Sequence, residues 1–408
     1  MTVDPFAVST KPTAESLAID ESIRLERKRL KDNPVVKVLL LGQSESGKST
    51  VIKNFRLAHD AASFRAERAS WRSVIQLNLI RSVGIILDAL DDIEQLPPDL
   101  RLLRLRLIPL RRVETDLRRR LSDSTTPVTP ELSVRSLAQL SHSPDPISLL
   151  RESADAQDVI TSLREDIRHL WLDERVRNAL RRKGIRVEEG AGFFLNDLDR
   201  IAISSYTPSD DDVLRARLRT MGVQEWRIPF PPAPGQHPTF SQPWALYDVG
   251  GARTQRRAWL PFFDGVNAII FLAPLSPFDT PLPEDPSVTH LDDTLALWHA
   301  ITSTPLLARS TLIVFLNKCD LLKRKLKSGV RWGDWVRGYK GEEEVGAVVK
   351  WTRDRFREIA RTKSPPAAKG RTTYVYPTSV TDTKATAVTL KSVRDGILRE
   401  HLKMAEFV

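Results

Sequence analysis

The sequence predicts an α/β fold, a mostly parallel sheet with helices on both faces, interrupted by an all-helical insertion. Three observations carry this. Short apolar runs rich in β-branched residues recur at 35–42, 244–249, 267–273, 311–317 and 372–379. Helical patterns alternate with the later runs, as in strand–helix–strand units of a parallel sheet. Residues 58–211 break that alternation with Leu- and Arg-rich helical stretches and only scattered strand-like segments.

Taken in order, residues 1–14 are polar, contain Pro5 and Pro12 and show no apolar period, so disorder is expected. From Glu15 to Asp32 the chain turns helical and basic, with Arg24, Arg27, Lys28, Arg29 and Lys31 close together. That segment reads either as a solvated helix or as one that meets a partner or a membrane surface. VVKVLLLG (35–42) reads as a buried strand ended by Gly42, and VIKNFRLAHD (51–60) as the helix after it. Within the insertion, SVIQLNLIRSVGIILDAL (73–90) and DLRLLRLRLIPLRRVETDLRRRL (99–121) are helical patterns. Residues 122–148, rich in Ser, Thr and Pro, read as a loop or disordered insert. Beyond 211 come the strands WALYDV (244–249), NAIIFLA (267–273), TLIVFLN (311–317) and TTYVYPTS (372–379). Helices are expected at LDDTLALWHAI (291–301) and TLKSVRDGILREHLKM (389–404). The expected domains are therefore a tail with a basic helix (1–33), an α/β domain made of 34–57 and 212–408, and an inserted helical domain (58–211).

Composition narrows the class. The 408 residues include 41% hydrophobic and 28% charged side chains, which is globular. The single cysteine, Cys319, excludes an intrachain disulfide and suits a reducing compartment. No apolar run approaches the ~20 residues of a membrane span, and the first residues lack the charged-then-apolar order of a secretory signal. The net charge of +10 leaves nucleic acid, an anionic membrane or an acidic partner open. No zinc-finger spacing, RNP motif or aromatic–basic interleaving supports nucleic acid. The excess concentrates between Lys318 and Arg371, with 16 basic against 7 acidic residues, a patch suited to an anionic leaflet.

Three motifs carry chemistry. GQSESGKST (42–50) follows a strand, precedes a helix and satisfies G-x-x-x-x-G-K-[ST]. Backbone N–H groups of such a loop cradle phosphate oxygens at the positive end of the helix. Lys48 would reach the outer phosphates and Ser49 would hold Mg²⁺. DVGG (248–251) alone is a tight turn. After a strand of a P-loop domain, Asp248 can reach Mg²⁺ through water, and its glycines let the backbone approach a terminal phosphate. NKCD (317–320) is weak alone. Its Asp320 carboxylate can accept from the N1–H and N2–H₂ of guanine, a donor pair adenine lacks. Asn317 can meet N7 or O6, and the Lys318 stem can cover the ring.

Together the motifs resemble those of the regulatory GTPases, and more finely the alpha subunits of heterotrimeric G proteins. ESGKST (45–50), GFFLNDLDRIAISSYTPSDDDVLRARLRTMGV (192–223), DVGGARTQRRAW (248–259) and TSVTDTK (378–384) carry the likeness, which runs from about residue 15 to the C-terminus. The resemblance implies a Ras-like P-loop GTPase domain with an inserted helical domain, binding GTP or GDP with Mg²⁺. It implies nucleotide contacts at Glu45, Ser46, Gly47, Lys48, Ser49 and Thr50, and along Leu214 and Arg215. Arg217 would touch the γ-phosphate and stabilise transition-state charge, and Thr220 would ligate Mg²⁺ beside Ser49. Gly251 would offer its N–H to the γ-phosphate, Val380 its N–H to guanine O6, and Asp173 would face the cleft. The implied partners are a beta-gamma dimer, a seven-helix receptor and an effector of unknown kind, at the cytoplasmic face of the plasma membrane.

The pattern also breaks. Where the family carries a glutamine that orients the attacking water, this chain has Ala252. Where the loop carries a glycine near the γ-phosphate, it has Ser44. Slow hydrolysis is expected, with two readings left open: a slow switch that still cycles, or a degenerate module that does not. Gln43 or Gln255 could instead orient the water. A P-loop ATPase or kinase is disfavoured by Asp320. The chain starts Met1-Thr2 without a nearby cysteine, so no N-terminal acylation and only weak intrinsic membrane binding are expected.

Overall fold

The structure, a computed structural model, describes residues 35–91, 93, 96–121, 155–190, 192–218, 222–230, 243–282 and 285–406. The expected tail and basic helix, the 122–148 insert and Thr220 lie outside the described residues. The central sheet has six strands: β1 (Val36–Gly42), β2 (Val223–Ile228), β3 (Trp244–Val249), β4 (Ala268–Pro274), β7 (Thr311–Asn317) and β8 (Thr373–Pro377). Their order is β2-β3-β1-β4-β7-β8. All pairs are parallel except β2–β3, and β5 (Pro281–Leu282) and β6 (Asp285–Thr289) form a separate small hairpin.

Burial explains why these runs are strands. β4 and β7 are buried along their full length, as expected of parallel strands covered on both faces. Leu39, Leu41, Ile269, Phe271 and Val314 point to one face, packed by Trp298 and Phe356. Val38, Leu40, Ile270, Leu272 and Phe315 point to the other, against Phe55, Leu390 and Ile397. The alternation follows the two-residue period of a strand. β2 was not expected: VQEWRI is half-exposed, and only pairing with β3 makes it a strand.

Described residues between 58 and 211 hold helices and no strand. With Val213, Leu214 and Ala216 just beyond, they form a core of their own around the helix Arg68–Asp91. That helix is long and apolar enough to cross a membrane, contrary to the expectation that no run comes close. It is 72% buried over its most apolar window, so it is the hub of the helical core. The pattern at 99–121 divides into Pro98–Arg106 and Pro109–Leu121, because Pro109 disfavours a helical conformation at Ile108.

Candidate functional site

The P-loop, DVGG and NKCD emerge at the carboxyl ends of β1, β3 and β7, and the TSVTDTK loop follows β8. A parallel sheet opens a crevice at these ends where its strand order reverses, here around β1. Residues of the helical insertion border that crevice, which holds two lobes. The larger, about 410 Å³, is bordered by Glu45, Gly47, Thr50, Leu214, Arg215, Asn317, Lys318, Asp320 and Val380. The smaller, about 150 Å³, is bordered by residues 44–50, Arg217, Asp248, Gly251, Ala252 and Gln255.

The smaller lobe is built for anionic oxygen. Lys48 opens the helix Lys48–His59, and its Nζ donates to the carbonyls of Gly42 at 2.9 Å and Gln43 at 2.6 Å. Burial lowers its pKa to about 8, against the attraction of Asp248. A phosphate oxygen there would supply a full charge where the present acceptors are neutral carbonyls. Ser49 Oγ donates to Asp248 Oδ2 at 2.6 Å. Among the described residues no cluster of three His, Cys, Asp or Glu side chains could hold an ion alone. A hydroxyl and one carboxylate beside a phosphate lobe suit Mg²⁺, which keeps waters and takes few protein ligands. A Cβ on Gly251 would fall 2.4 Å from Ser44 N and Gln43 C, so the two loops pack backbone to backbone.

The larger lobe brings Asn317 and Val380 together at its border. Asn317 and Val380, expected to read the base, bond to each other: Val380 N donates to Asn317 Oδ1 at 3.2 Å. Thr378 Oγ1 also donates to Oδ1, at 3.3 Å, and Asn317 Nδ2 donates to Ser46 O at 2.7 Å. The carboxamide sits at the end of a fully buried strand, where leaving it unpaired would cost ~1–3 kcal/mol. It therefore ties the P-loop to the TSVTDTK loop. Asp320 stands exposed at the lobe's border, its backbone N donating to Ser379 Oγ at 3.1 Å. Among the described residues only Glu45 and Lys318 are non-glycines with positive φ, 59° and 63°. Both border the larger lobe, where such backbone strain, ~1–3 kcal/mol each, is typically held.

Of the remaining predicted residues, Leu214 is buried and its carbonyl accepts from Thr50 Oγ1 at 3.5 Å. Arg215 donates to Asp197 at 2.5 Å and to Phe193 O at 3.0 Å. Arg217 pairs with Glu45 at 2.5 Å. Asp173 does not border either lobe. It caps the helix Glu174–Arg182, accepting from Arg175 N and Val176 N, and pairs with the Arg175 guanidinium at 2.6 Å. The orphan N–H groups of that helix claim its carboxylate.

Ala252 is 6% exposed and precedes the 3₁₀ helix Arg253–Phe262, its methyl group at the phosphate lobe. Gln43 cannot replace the missing glutamine. Its Nε2 donates to Asp293 Oδ2 at 2.5 Å and His290 O at 2.8 Å, and its Oε1 meets His290 Nδ1 at 2.9 Å. Gln255 does border the phosphate lobe. Trp259 is buried, and its Nε1 donates to Gly250 O at 3.0 Å.

Sequence reasoning missed Asp293 and Asn78, each a polar side chain inside an apolar helical run. Asp293, 2% exposed, collects Gln43, Arg253 and Arg256, the last through two bonds of 3.0 and 2.5 Å. Burial pushes its carboxyl up, but Arg256, helped by Gln43 and Arg253, holds it below the ordinary carboxylate range. The depressed pKa means stability present above the unfolded value, about 3.9, and lost as pH falls through the folded one. Asp293→Ala is therefore expected to cost ~3 kcal/mol near pH 7. The gap to wild type should narrow below pH ~4 in urea titrations. A pH-independent gap would contradict the assignment.

Comparison with known proteins agrees with this geometry. The family model of the G-protein alpha subunit matches residues 13–397. The guanine nucleotide-binding protein alpha-4 subunit of Mycosarcoma maydis is 29% identical, covering 96% of this chain and 87% of the relative. The alpha-2 subunit of Neurospora crassa is 29% identical over 96% of this chain and 95% of its own length. The alpha-1 subunit of Oryza sativa subsp. indica is 30% identical over the same shares.

Proposed function

The chain belongs to the G-protein alpha-subunit family, and from that premise we propose a slow guanine-nucleotide switch that couples a receptor to an effector. That it is a guanine nucleotide-binding signalling subunit follows from the family. The finer reading is that GTP and GDP bind with Mg²⁺ held by Ser49, by Asp248 through water and by Thr220. A beta-gamma dimer and a seven-helix receptor would be the partners. The observation that carries slow turnover is Ala252, whose methyl group borders the phosphate lobe while Gln43 is committed elsewhere. Positioning and charge supply most of phosphoryl-transfer catalysis, and a methyl group supplies neither. Arg217 remains at the same lobe, which favours slow cycling over none.

A peripheral position at the cytoplasmic face of the plasma membrane is part of the proposal. The basic stretch 318–371 supports it, with Trp335 49% exposed between the exposed Arg331 and Arg337. Bound nucleotide tests the core of the reading. GTP and GDP should displace a fluorescent guanine nucleotide, and ATP should not. Exchange of GDP for a non-hydrolysable GTP analogue with Mg²⁺ should change Trp259 fluorescence. Equal competition by ATP would sink the guanine assignment, and an unchanged signal would favour the non-cycling module.

A further inference from the structure

We infer that Asn78, on the inserted helical core, is the positioning residue that aims Arg217 at the phosphate lobe. Arg217 lies on irregular backbone just past the helix Asp210–Arg215, so no ladder of its own fixes it. Asn78, from the inserted helical core, does so. Its Oδ1 accepts from Arg217 N at 2.7 Å, and its Nδ2 donates to Arg217 O at 3.0 Å. A carboxamide that bonds both the N–H and the C=O of one residue sets the direction in which that side chain leaves the main chain. Asn78 is itself 6% exposed on the helix Arg68–Asp91, so the brace is anchored in a packed core.

Two further contacts give the brace its direction. On its far side the Arg217 guanidinium meets Glu45 of the P-loop at 2.5 Å. The backbone is thus held by the insertion and the side chain by the loop that borders both lobes. Gly192 closes the third side. A Cβ there would fall 2.4 Å from Asn78 Oδ1 and 3.1 Å from Arg217 Cβ, so only glycine leaves room for the carboxamide in this place. A cation that stabilises developing charge is effective to the extent that it is already in position. The inserted core thereby contributes to the site through Asn78 without touching nucleotide.

The inference rests on the reading of Arg217 as a γ-phosphate contact, and a double-mutant cycle on the full chain separates the two. Asn78→Ala, Arg217→Ala and the pair are compared in single-turnover GTP hydrolysis, with GDP affinity measured on each preparation. Asn78→Ala should slow hydrolysis about tenfold while leaving GDP affinity within about threefold. In the Arg217→Ala background it should add less than about twofold. Where turnover is too slow to follow, the same cycle is read from the affinity for GDP with fluoroaluminate, a planar γ-phosphate mimic. Gly192→Ala, which displaces the carboxamide from the other side, should reproduce the Asn78→Ala effect even where that variant folds poorly. Multiplicative losses in the pair, or a fall in GDP affinity as large as the fall in rate, would make Asn78 a merely structural tie and overturn the inference. No effect of Arg217→Ala alone would overturn the reading of Arg217, and the inference with it.

Discussion

Replacing Asp320 by asparagine should lower the affinity for GTP and GDP by about a hundredfold or more. The carboxylate is the only group in NKCD that accepts from both N1–H and N2–H₂ of guanine. Each hydrogen bond to a charged acceptor is worth ~1.5–3 kcal/mol, so losing two of that kind spans two or more decades. The structure favours such a role. Asp320 is exposed at the border of the larger lobe, and its backbone is held by Ser379 and by the left-handed turn at Lys318. An asparagine presents one acceptor and one N–H donor. It should therefore prefer a base with a carbonyl where guanine has its amino group. Competition of GTP and xanthosine triphosphate against a fluorescent nucleotide measures both effects. Unchanged guanine affinity in the Asp320→Asn chain would remove the base-reading role from Asp320.

The second large effect is a gain. Ala252→Gln should raise single-turnover GTP hydrolysis by about ten- to a hundredfold, the range of a positioned general-base or water-orienting group. The backbone is ready for it. Ala252 follows Gly251, which is packed against Gln43 and Ser44, and its methyl group already borders the phosphate lobe. A glutamine side chain there would extend into that lobe, where the Ser44 side chain stands nearby. Ser44→Gly combined with Ala252→Gln should therefore exceed either alone. If Ala252→Gln keeps GTP binding but leaves the rate unchanged, Gln255 at the same lobe becomes the water-orienting group.

Much of this site was legible in sequence because local chemistry dictates it. GQSESGKST needs a strand before it and a helix after it, and Val36–Gly42 and Lys48–His59 supply them. WALYDV and TLIVFLN coincide with β3 and β7 because uninterrupted apolar runs suit strands covered on both faces. The half-exposed VQEWRI carries no such signal, and its strand exists through pairing with β3. The hydrogen-bond partners of Asn317, Val380 and Asp173 were the least legible. A motif says which groups are present, whereas the partners that claim them come from other parts of the chain. Asn317 meets Val380, 63 residues later, and the N-terminal N–H groups of a helix claim Asp173.

The sequence by itself determined the alternation of strands and helices, the P-loop motif, and the residue types at Asp320 and Ala252 on which the proposed base reading and slow turnover rest. Those features are set by residue type and spacing, which no distant contact alters. Only the tertiary structure decided that Gln43 is unavailable to water, that Asp293 gathers Arg253 and Arg256, and that Asn78 grips Arg217. Each joins groups 37 to 250 residues apart in the chain. Buried polar groups must find partners wherever the packed fold supplies them, and that supply is not written in any local stretch of the chain.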